Sequence, residues 1–161
     1  MRLCQPVPGM QSAMTEIRFY PLTRSTLEET LPPMLEKVLE RTQRAVVMAG
    51  SPERVEALVK YLWSYRDPAF LPHGSAEDGS GEDQPVWLTD KDENPNKASV
   101  LMLTDGATSS RVKDYELVCE IFGDADPAAV EASRARWKQY KEDGFALTYW
   151  QQNEKGWEKV A

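Results

Sequence analysis

The chain has 161 residues, 41% of them hydrophobic and 28% charged, which is typical of one soluble globular domain. It has no run of roughly 20 apolar residues, so no membrane-spanning helix is predicted. A formal net charge of −7 argues against nucleic acid as the main partner, because phosphate backbones require a basic surface. Cys4 lies in an irregular leader and Cys119 in an apolar run, which favours reduced thiols and a cytoplasmic protein.

The two ends of the chain differ in character from the segment between them. Residues 1–13 lack the continuous apolar segment of a signal peptide, and we expect a disordered leader with the natural start at Met10 or Met14. We expect a single α/β domain over residues 14–150 and a polar tail over residues 151–161.

The first predicted elements are a strand and a helix. Residues 17–22 are aromatic and β-branched, which predicts a strand. Ser25 and Glu28 have the spacing of a capping box at the start of an amphipathic helix. Pro32 and Pro33 fall inside this pattern, so the helix either starts later or bends there.

A second strand and helix follow through a tight turn. Residues 44–49 form a continuous apolar run, as in a strand covered on both faces. Gly50 turns the chain, Ser51 caps the next helix, and Pro52 occupies its first position, where a missing N–H costs nothing. This helix is predicted to reach about Tyr65.

The remaining elements continue the alternation. Beyond an irregular acidic stretch, apolar runs predict four strands, the last at a sheet edge, and an acidic segment ending in proline opens a long helix. The strands are residues 85–89, 99–104, 115–122 and 145–150, and the helix runs from 127 to about 143. The order predicts a three-layer α/β domain with a mostly parallel central sheet.

The strand-to-helix junctions give no sign of a nucleotide or other cofactor. The first junction, PLTRSTLEE, has no glycine, and the single glycine of the second, MAGSPERV, is explained by the turn. His73 is the one histidine and lies beside no recognisable nucleophile, and no metal-ligand cluster is visible. We therefore predict a non-catalytic protein, with a nucleotide-dependent or other enzyme on this fold as the alternative.

The last helix carries a basic face around one aromatic side chain. Arg134, Trp137, Lys138 and Lys141 stand at i, i+3, i+4 and i+7, and so share one face. The adjoining stripe should face the core, which puts Trp137 at the border: Val130, Ser133, Trp137 and Tyr140. Such a face suits an acidic peptide with hydrophobic side chains or a free carboxylate. The alternative is a solvated face with cations near a helix C-terminus.

Three segments together resemble one known family. They are FYPL at residues 19–22, ALVKYLWSYRDPAFLPHG at residues 57–74 and RARWKQYKEDGFAL at residues 134–147. Their order and spacing are similar to those of the chi subunit of bacterial DNA polymerase III, a clamp-loader accessory protein, from residue 15 to about residue 150.

The resemblance implies a Rossmann-like α/β domain without a nucleotide. It also implies two protein partners, the psi subunit on one surface and the C-terminal tail of single-stranded DNA-binding protein on another. By matching position, Arg134, Trp137, Lys138 and Phe70 would form the tail pocket. The family often has tyrosine where Trp137 stands, which keeps a flat aromatic wall.

Two further positions follow from the same resemblance. The family often has a lysine where this chain has Val130, and Lys141 or Arg136 would replace that cation only in part. Trp63 matches a family tryptophan near the psi-binding surface, although it also fits a core residue at the end of an apolar helix stripe.

Overall fold

The computed structural model describes residues 15–64, 74–75 and 84–161. Within them it contains eight strands, three α-helices and a short 3-10 helix. In chain order these are β1 (Glu16–Leu22), α1 (Leu27–Glu40), β2 (Ala45–Met48), α2 (Pro52–Ser64), β3 (Gly74–Ser75), β4 (Val86–Thr89), β5 (Val100–Leu103), the 3-10 helix (Val112–Asp114), β6 (Leu117–Gly123), α3 (Pro127–Glu142), β7 (Ala146–Asn153) and β8 (Gly156–Lys159).

All the strands belong to one sheet in the order β3-β4-β2-β5-β6-β1-β7-β8. Every neighbouring pair is parallel except β7 and β8, which are antiparallel. The central strands β2 and β5 are buried along their whole length, as expected where helices cover both faces of a parallel sheet. The predicted mostly parallel α/β architecture is confirmed.

The helices divide between the two faces of the sheet. Apolar side chains of α1 and α2, among them Leu31 and Leu58, pack in one core cluster with strand residues such as Val47. Side chains of α3 pack in the other cluster, with Phe19 and Val46 on the opposite side of the same strands. Because successive strand residues point to opposite faces, this split gives three layers, with α3 separated from α1 and α2 by the sheet.

Helix α1 begins one residue later than the predicted capping box. The N-cap is Thr26, whose hydroxyl accepts from the backbone N–H of Glu29 at 3.2 Å, while Glu29 accepts from the Thr26 N–H at 2.9 Å. The prediction of Ser25 and Glu28 was wrong because the sequence Ser-Thr-Leu-Glu-Glu offers the same box in two adjacent registers. The helix contains Pro32, so the alternative of a later start is also wrong.

The C-terminal segment forms a hairpin. We expected a strand at the sheet edge followed by a polar tail, but β7 extends to Asn153 and β8 pairs with it. Gly156 starts β8 with a φ of 131°, a backbone conformation that favours glycine. Strand β7 is therefore an interior strand, and β8 is at the edge.

Several expectations concern other parts of the chain. The leader 1–13 and the acidic segment between β3 and β4 lie outside the described residues. Among the helices that are described, none combines the length and hydrophobicity needed to cross a bilayer.

Candidate functional site

Helix α3 carries the candidate site, and its own sequence fixes both of its ends. Asp126 is the N-cap, and its carboxylate accepts from the Ala128 N–H at 3.1 Å. Pro127 stands at the first helical position, where its missing N–H has no intrahelical partner to lose. Gly144, with a φ of 89°, follows the last turn and supplies the left-handed residue that commonly ends a helix.

A buried carboxylate holds the inner face of α3 to the sheet. Glu120 in β6 is 2% exposed and accepts from Arg136 Nε at 3.0 Å and from Tyr140 Oη at 2.7 Å. Burial raises the pKa of Glu120, and the Arg136 charge and the Tyr140 hydrogen bond partly offset that rise. Because a buried charge needs partners, these two contacts fix the rotation of the helix about its axis.

That rotation places Trp137 against two aromatic side chains of the sheet. Its ring meets Phe19 of β1 edge to face at 5.1 Å and Tyr149 of β7 at 5.9 Å. Phe19 and Tyr149 are register partners on adjacent parallel strands, and their rings are stacked at 6.4 Å. Trp137 is half-buried, so the residue keeps part of its surface accessible beside this rigid aromatic support.

The outer face of α3 is basic. Arg134, Lys138 and Lys141 are all exposed, and none is in an ion pair within the described part of the chain. Burial and Asp124 raise the pKa of Tyr149, and the Arg134 charge partly offsets that rise. The structure therefore brings the predicted cations to one surface around Trp137.

The core-facing stripe of α3 is confirmed, since Val130, Trp137 and Tyr140 pack against the cluster on this face of the sheet. The suggestion that Arg136 replaces a missing cation at the surface is wrong, because its guanidinium is directed inward to Glu120. Lys141 stays exposed and one turn beyond Trp137.

Two residues named from the resemblance are not placed by the structure. Phe70 lies outside the described residues. The backbone of Trp63 belongs to α2, but its side chain lies outside the part of the chain that the structure describes. Helix α2 packs on the opposite face of the sheet from α3, so any surface that includes the end of α2 is separate from the basic face.

The sequence reasoning missed Glu120 and Tyr149. Glu120 had a visible signal, because a lone carboxylate in the apolar run LVCEIF must find a partner when it is buried. Tyr149 had only a weak one. Its position beside Trp137 depends on the pairing of β7 with β1, which joins residues 130 positions apart in register, Phe19 with Tyr149.

The crevice at the carboxyl ends of β2 and β5 is filled by the chain's own charges. Asp105 follows β5, and its Oδ2 accepts from the Gly50 N–H at 3.3 Å and from Arg54 Nε at 3.1 Å. Arg54 also donates to Glu28 at the start of α1 at 3.1 Å. A carboxylate thus lies where a parallel α/β sheet otherwise receives a phosphate at a helix N-terminus.

The other reactive groups that the structure describes are inert or isolated. Burial raises the pKa of the Cys119 thiol to about 12, so the nucleophilic thiolate is scarce at neutral pH. Within the described ranges, no three histidine, cysteine or carboxylate side chains are grouped as a metal site would require.

Comparison with known proteins identifies the family of the chain. Residues 14–148 match the family model described as DNA polymerase III chi subunit, HolC. A protein of Rickettsia prowazekii named probable DNA polymerase III subunit chi is 32% identical over 105 residues, which cover 63% of this chain and 64% of that protein. The DNA polymerase III subunit chi of Pseudomonas aeruginosa is 30% identical over 86 residues, 53% of this chain and 58% of that protein. The matched regions thus span less than two thirds of each relative, 64% and 58%, whereas the family match spans most of this chain. The chain belongs to the DNA polymerase III chi subunit (HolC) family.

Proposed function

We propose that this chain is a non-catalytic accessory subunit of the DNA polymerase III holoenzyme, acting in the cytoplasm. In this proposal it binds the C-terminal tail of single-stranded DNA-binding protein on the basic face of α3. Through the psi subunit it connects that protein to the clamp loader. The observation that carries the proposal is the half-buried Trp137 ring, supported by Phe19 and Tyr149 and bordered by exposed Arg134 and Lys138.

The recognition chemistry needs both parts of this surface. Carboxylates of the tail would pair with Arg134 and Lys138, and Lys141 would extend the positive surface by one turn. Exposed ion pairs contribute only about 0.2–1 kcal/mol each, while micromolar binding requires about 8 kcal/mol. A terminal apolar side chain packed on Trp137 must therefore supply a large share, and we propose Phe70 as the second wall.

A rigid aromatic platform favours such a contact. The ring of Trp137 touches two stacked rings from neighbouring strands, and the helix that carries it is held by Glu120. Little side-chain freedom remains to be lost when a peptide binds, which reduces the entropic cost of association. An aromatic ring beside an arginine is also the composition most often found at binding hot spots.

The bridging role is consistent with the layering of the domain. Trp63, which we propose for the psi contact, belongs to α2, on the face of the sheet opposite to α3. Two partners on opposite faces do not compete for the same atoms, so one molecule could hold both at once.

The enzyme alternative is disfavoured by the occupied crevice. The Asp105 carboxylate already accepts from the Gly50 N–H, so a phosphate at this helix start would meet a negative charge. A Cβ at position 50 would also lie 3.0 Å from the Asp105 Cβ, which shows how tightly the loop closes over this position.

Calorimetric titration with a synthetic peptide of the host single-stranded DNA-binding protein C-terminus tests the proposal. We expect micromolar affinity that weakens as salt rises, and a loss of several fold or more in Arg134→Ala. Arg24→Ala is the matched control, since it removes the same charge from an exposed arginine outside α3. Wild-type affinity in Arg134→Ala, or an equal loss in Arg24→Ala, would remove α3 as the tail site.

A further inference from the structure

A second groove lies on the opposite side of the sheet from α3. It runs between α1 and the β7–β8 hairpin and has a cavity volume of about 610 Å³. Its floor is the sheet itself, at the buried side chains of Met102 and Cys119. The volume is in the range that takes several side chains or a small ligand.

The hairpin side of this groove is a fixed aromatic wall. Trp157 of β8 meets Tyr20 edge to face at 4.9 Å, and Trp150 of β7 stacks on the same ring at 5.8 Å. The Arg18 guanidinium lies 5.2 Å from the Trp150 ring centroid. Gln152 ties the hairpin to the start of α1 by donating to Ser25 Oγ at 2.6 Å. The groove is therefore held open by packed rings and hydrogen bonds.

The helix side of the groove is apolar and positively charged. Met34 and Val38 line it together with Lys37, in the last turn of α1, and Arg41, the C-cap residue four positions further on. Lys155 faces them from the hairpin turn. These three cations are exposed, and none is in an ion pair within the described residues.

The charge of the groove contrasts with that of the chain. Among the described residues the lining holds four cations, of which Arg18 is paired with Glu16 at 2.8 Å, so that Lys37, Arg41 and Lys155 are the three unpaired ones. The one carboxylate that lines the same part of the structure is Glu29, which is engaged at the N-cap of α1. The whole chain carries −7. A concentration of positive charge around an apolar floor, on an acidic protein, selects ligands that combine negative charge with an apolar side chain.

We propose that this groove is a second peptide-binding site, which takes an acidic segment of a partner protein and seats one of its apolar side chains on the Met102 and Cys119 floor. Stacking of nucleic-acid bases is disfavoured, because the Trp150 ring is engaged by Tyr20 and Arg18 inside the protein. Residues 1–14 of the chain contain no carboxylate side chain, so the charge of the groove does not select its own leader.

The test uses a fluorescein-labelled, end-capped peptide with one phenylalanine between aspartates, followed by fluorescence anisotropy on the full chain. Capping removes the free carboxylate that the proposed α3 site would take. We expect saturable binding that weakens about tenfold in Lys37→Glu/Arg41→Glu, because two favourable pairs become repulsive. Lys91→Glu/Lys113→Glu changes the net charge by the same amount outside the groove and should bind within about twofold of wild type.

The outcomes separate peptide binding in this groove from binding at α3 and from a purely structural role of the two cations. Absence of saturable binding, or an equal loss in the two charge-reversed pairs, would overturn the proposal. Loss in Arg134→Ala instead of the Lys37→Glu/Arg41→Glu variant would assign the peptide to α3. If the reversal lowers only thermal stability, the two cations serve the C-terminal dipole of α1 and the groove has no such ligand.

Self-association is the remaining competitor. Sedimentation velocity on the wild-type chain should show no concentration-dependent dimer. A dimer that disappears in Lys37→Glu/Arg41→Glu would identify a second copy of this chain as the occupant, in place of a partner protein. Tail-peptide binding at α3 is measured separately, so either proposal can fail without the other.

Discussion

Replacing Tyr140 by phenylalanine tests whether the buried Glu120 carboxylate fixes α3 on the sheet. The change removes the hydroxyl that donates to Glu120 Oε2 at 2.7 Å and keeps the ring, with its edge contacts to Phe19 and Phe145. A hydrogen bond to a charged group contributes about 1.5–3 kcal/mol. We therefore expect a loss of about 2 kcal/mol in the free energy of unfolding at neutral pH, which lowers Tm by about 4–8 °C in a domain of this size.

The loss should also depend on pH, with a sign set by the pKa of Glu120. Burial raises that pKa, and the Tyr140 hydrogen bond is one of the contacts that hold it down, so Tyr140→Phe raises it further. A carboxyl with a raised folded-state pKa contributes its full stability below the unfolded value of about 4.3 and loses it as pH rises through the folded value. The variant should consequently be closer to wild type at mildly acidic pH than at neutral pH.

Urea unfolding followed by circular dichroism at the two pH values measures both effects. Tyr149→Phe is the matched control, because the ring contacts with Phe19 and Trp137 remain and, among the described residues, no hydrogen bond contributes to the pKa shift of the Tyr149 hydroxyl. It should cost less than about 0.5 kcal/mol and show little pH dependence. Equal costs for the two variants, or a cost for Tyr140→Phe that does not grow toward neutral pH, would refute the role given to Glu120.

Three further predictions follow from the packing and the pKa shifts. Trp137→Phe should keep tail binding within a few fold, because an aromatic ring remains. Trp137→Ala should abolish tail binding and lower the free energy of unfolding in urea by about 3 kcal/mol, because a cavity opens beside two rings. Equal effects of the two changes would contradict the proposal that the Trp137 ring is the platform for the peptide. Asp105→Ala should lower stability by about 2 kcal/mol in thermal unfolding, since the Gly50 N–H loses its acceptor and alanine must adopt a φ of 55°. Asp105→Asn, which tolerates this conformation, should cost about half as much, and the strain argument fails if asparagine is no better. In a Cys4→Ser background, Cys119 should react with a thiol reagent only on unfolding, because burial raises its pKa to about 12; rapid labelling of the native chain would contradict this.

The sequence predicted the sheet well because the strands of a parallel sheet leave a strong signal. Strands β2 and β5 are buried on both faces, and such strands read as continuous apolar runs. The start of α1 was missed by one residue because Thr26 with Glu29 and Ser25 with Glu28 fit the same local rule. Only the tertiary position of the helix decides between the two registers.

The hairpin was not predicted, because β8 gains its stability from pairing with β7 and from Trp157 packing on Tyr20. Neither contact has a local signal in a short polar segment. The hairpin forms one wall of the groove beside α1, so the groove could not be predicted from the sequence either.

The residues of the candidate site that lie on one helix were predicted, whereas those contributed by distant strands were not. Helical spacing alone places Arg134, Trp137 and Lys138 on one face, and the structure confirms that placement. The supporting residues come from distant strands, Glu120 from β6 and Tyr149 from β7. Spacing along one helix carries no information about these neighbours. The interpretation of Arg136 as a partial surface cation, which came from the family resemblance, was wrong because the resemblance did not include its buried partner Glu120.

The most direct test of the central claim is a nuclear magnetic resonance titration of the full chain with the host tail peptide. Our account predicts that the Trp137 indole N–H and the backbone amides around Arg134 and Lys138 shift on binding. The backbone amide resonances of α1 beside the second groove should not shift. Shifts confined to α1 and the β7–β8 hairpin, or no shifts at all, would contradict the claim that α3 receives the tail of single-stranded DNA-binding protein.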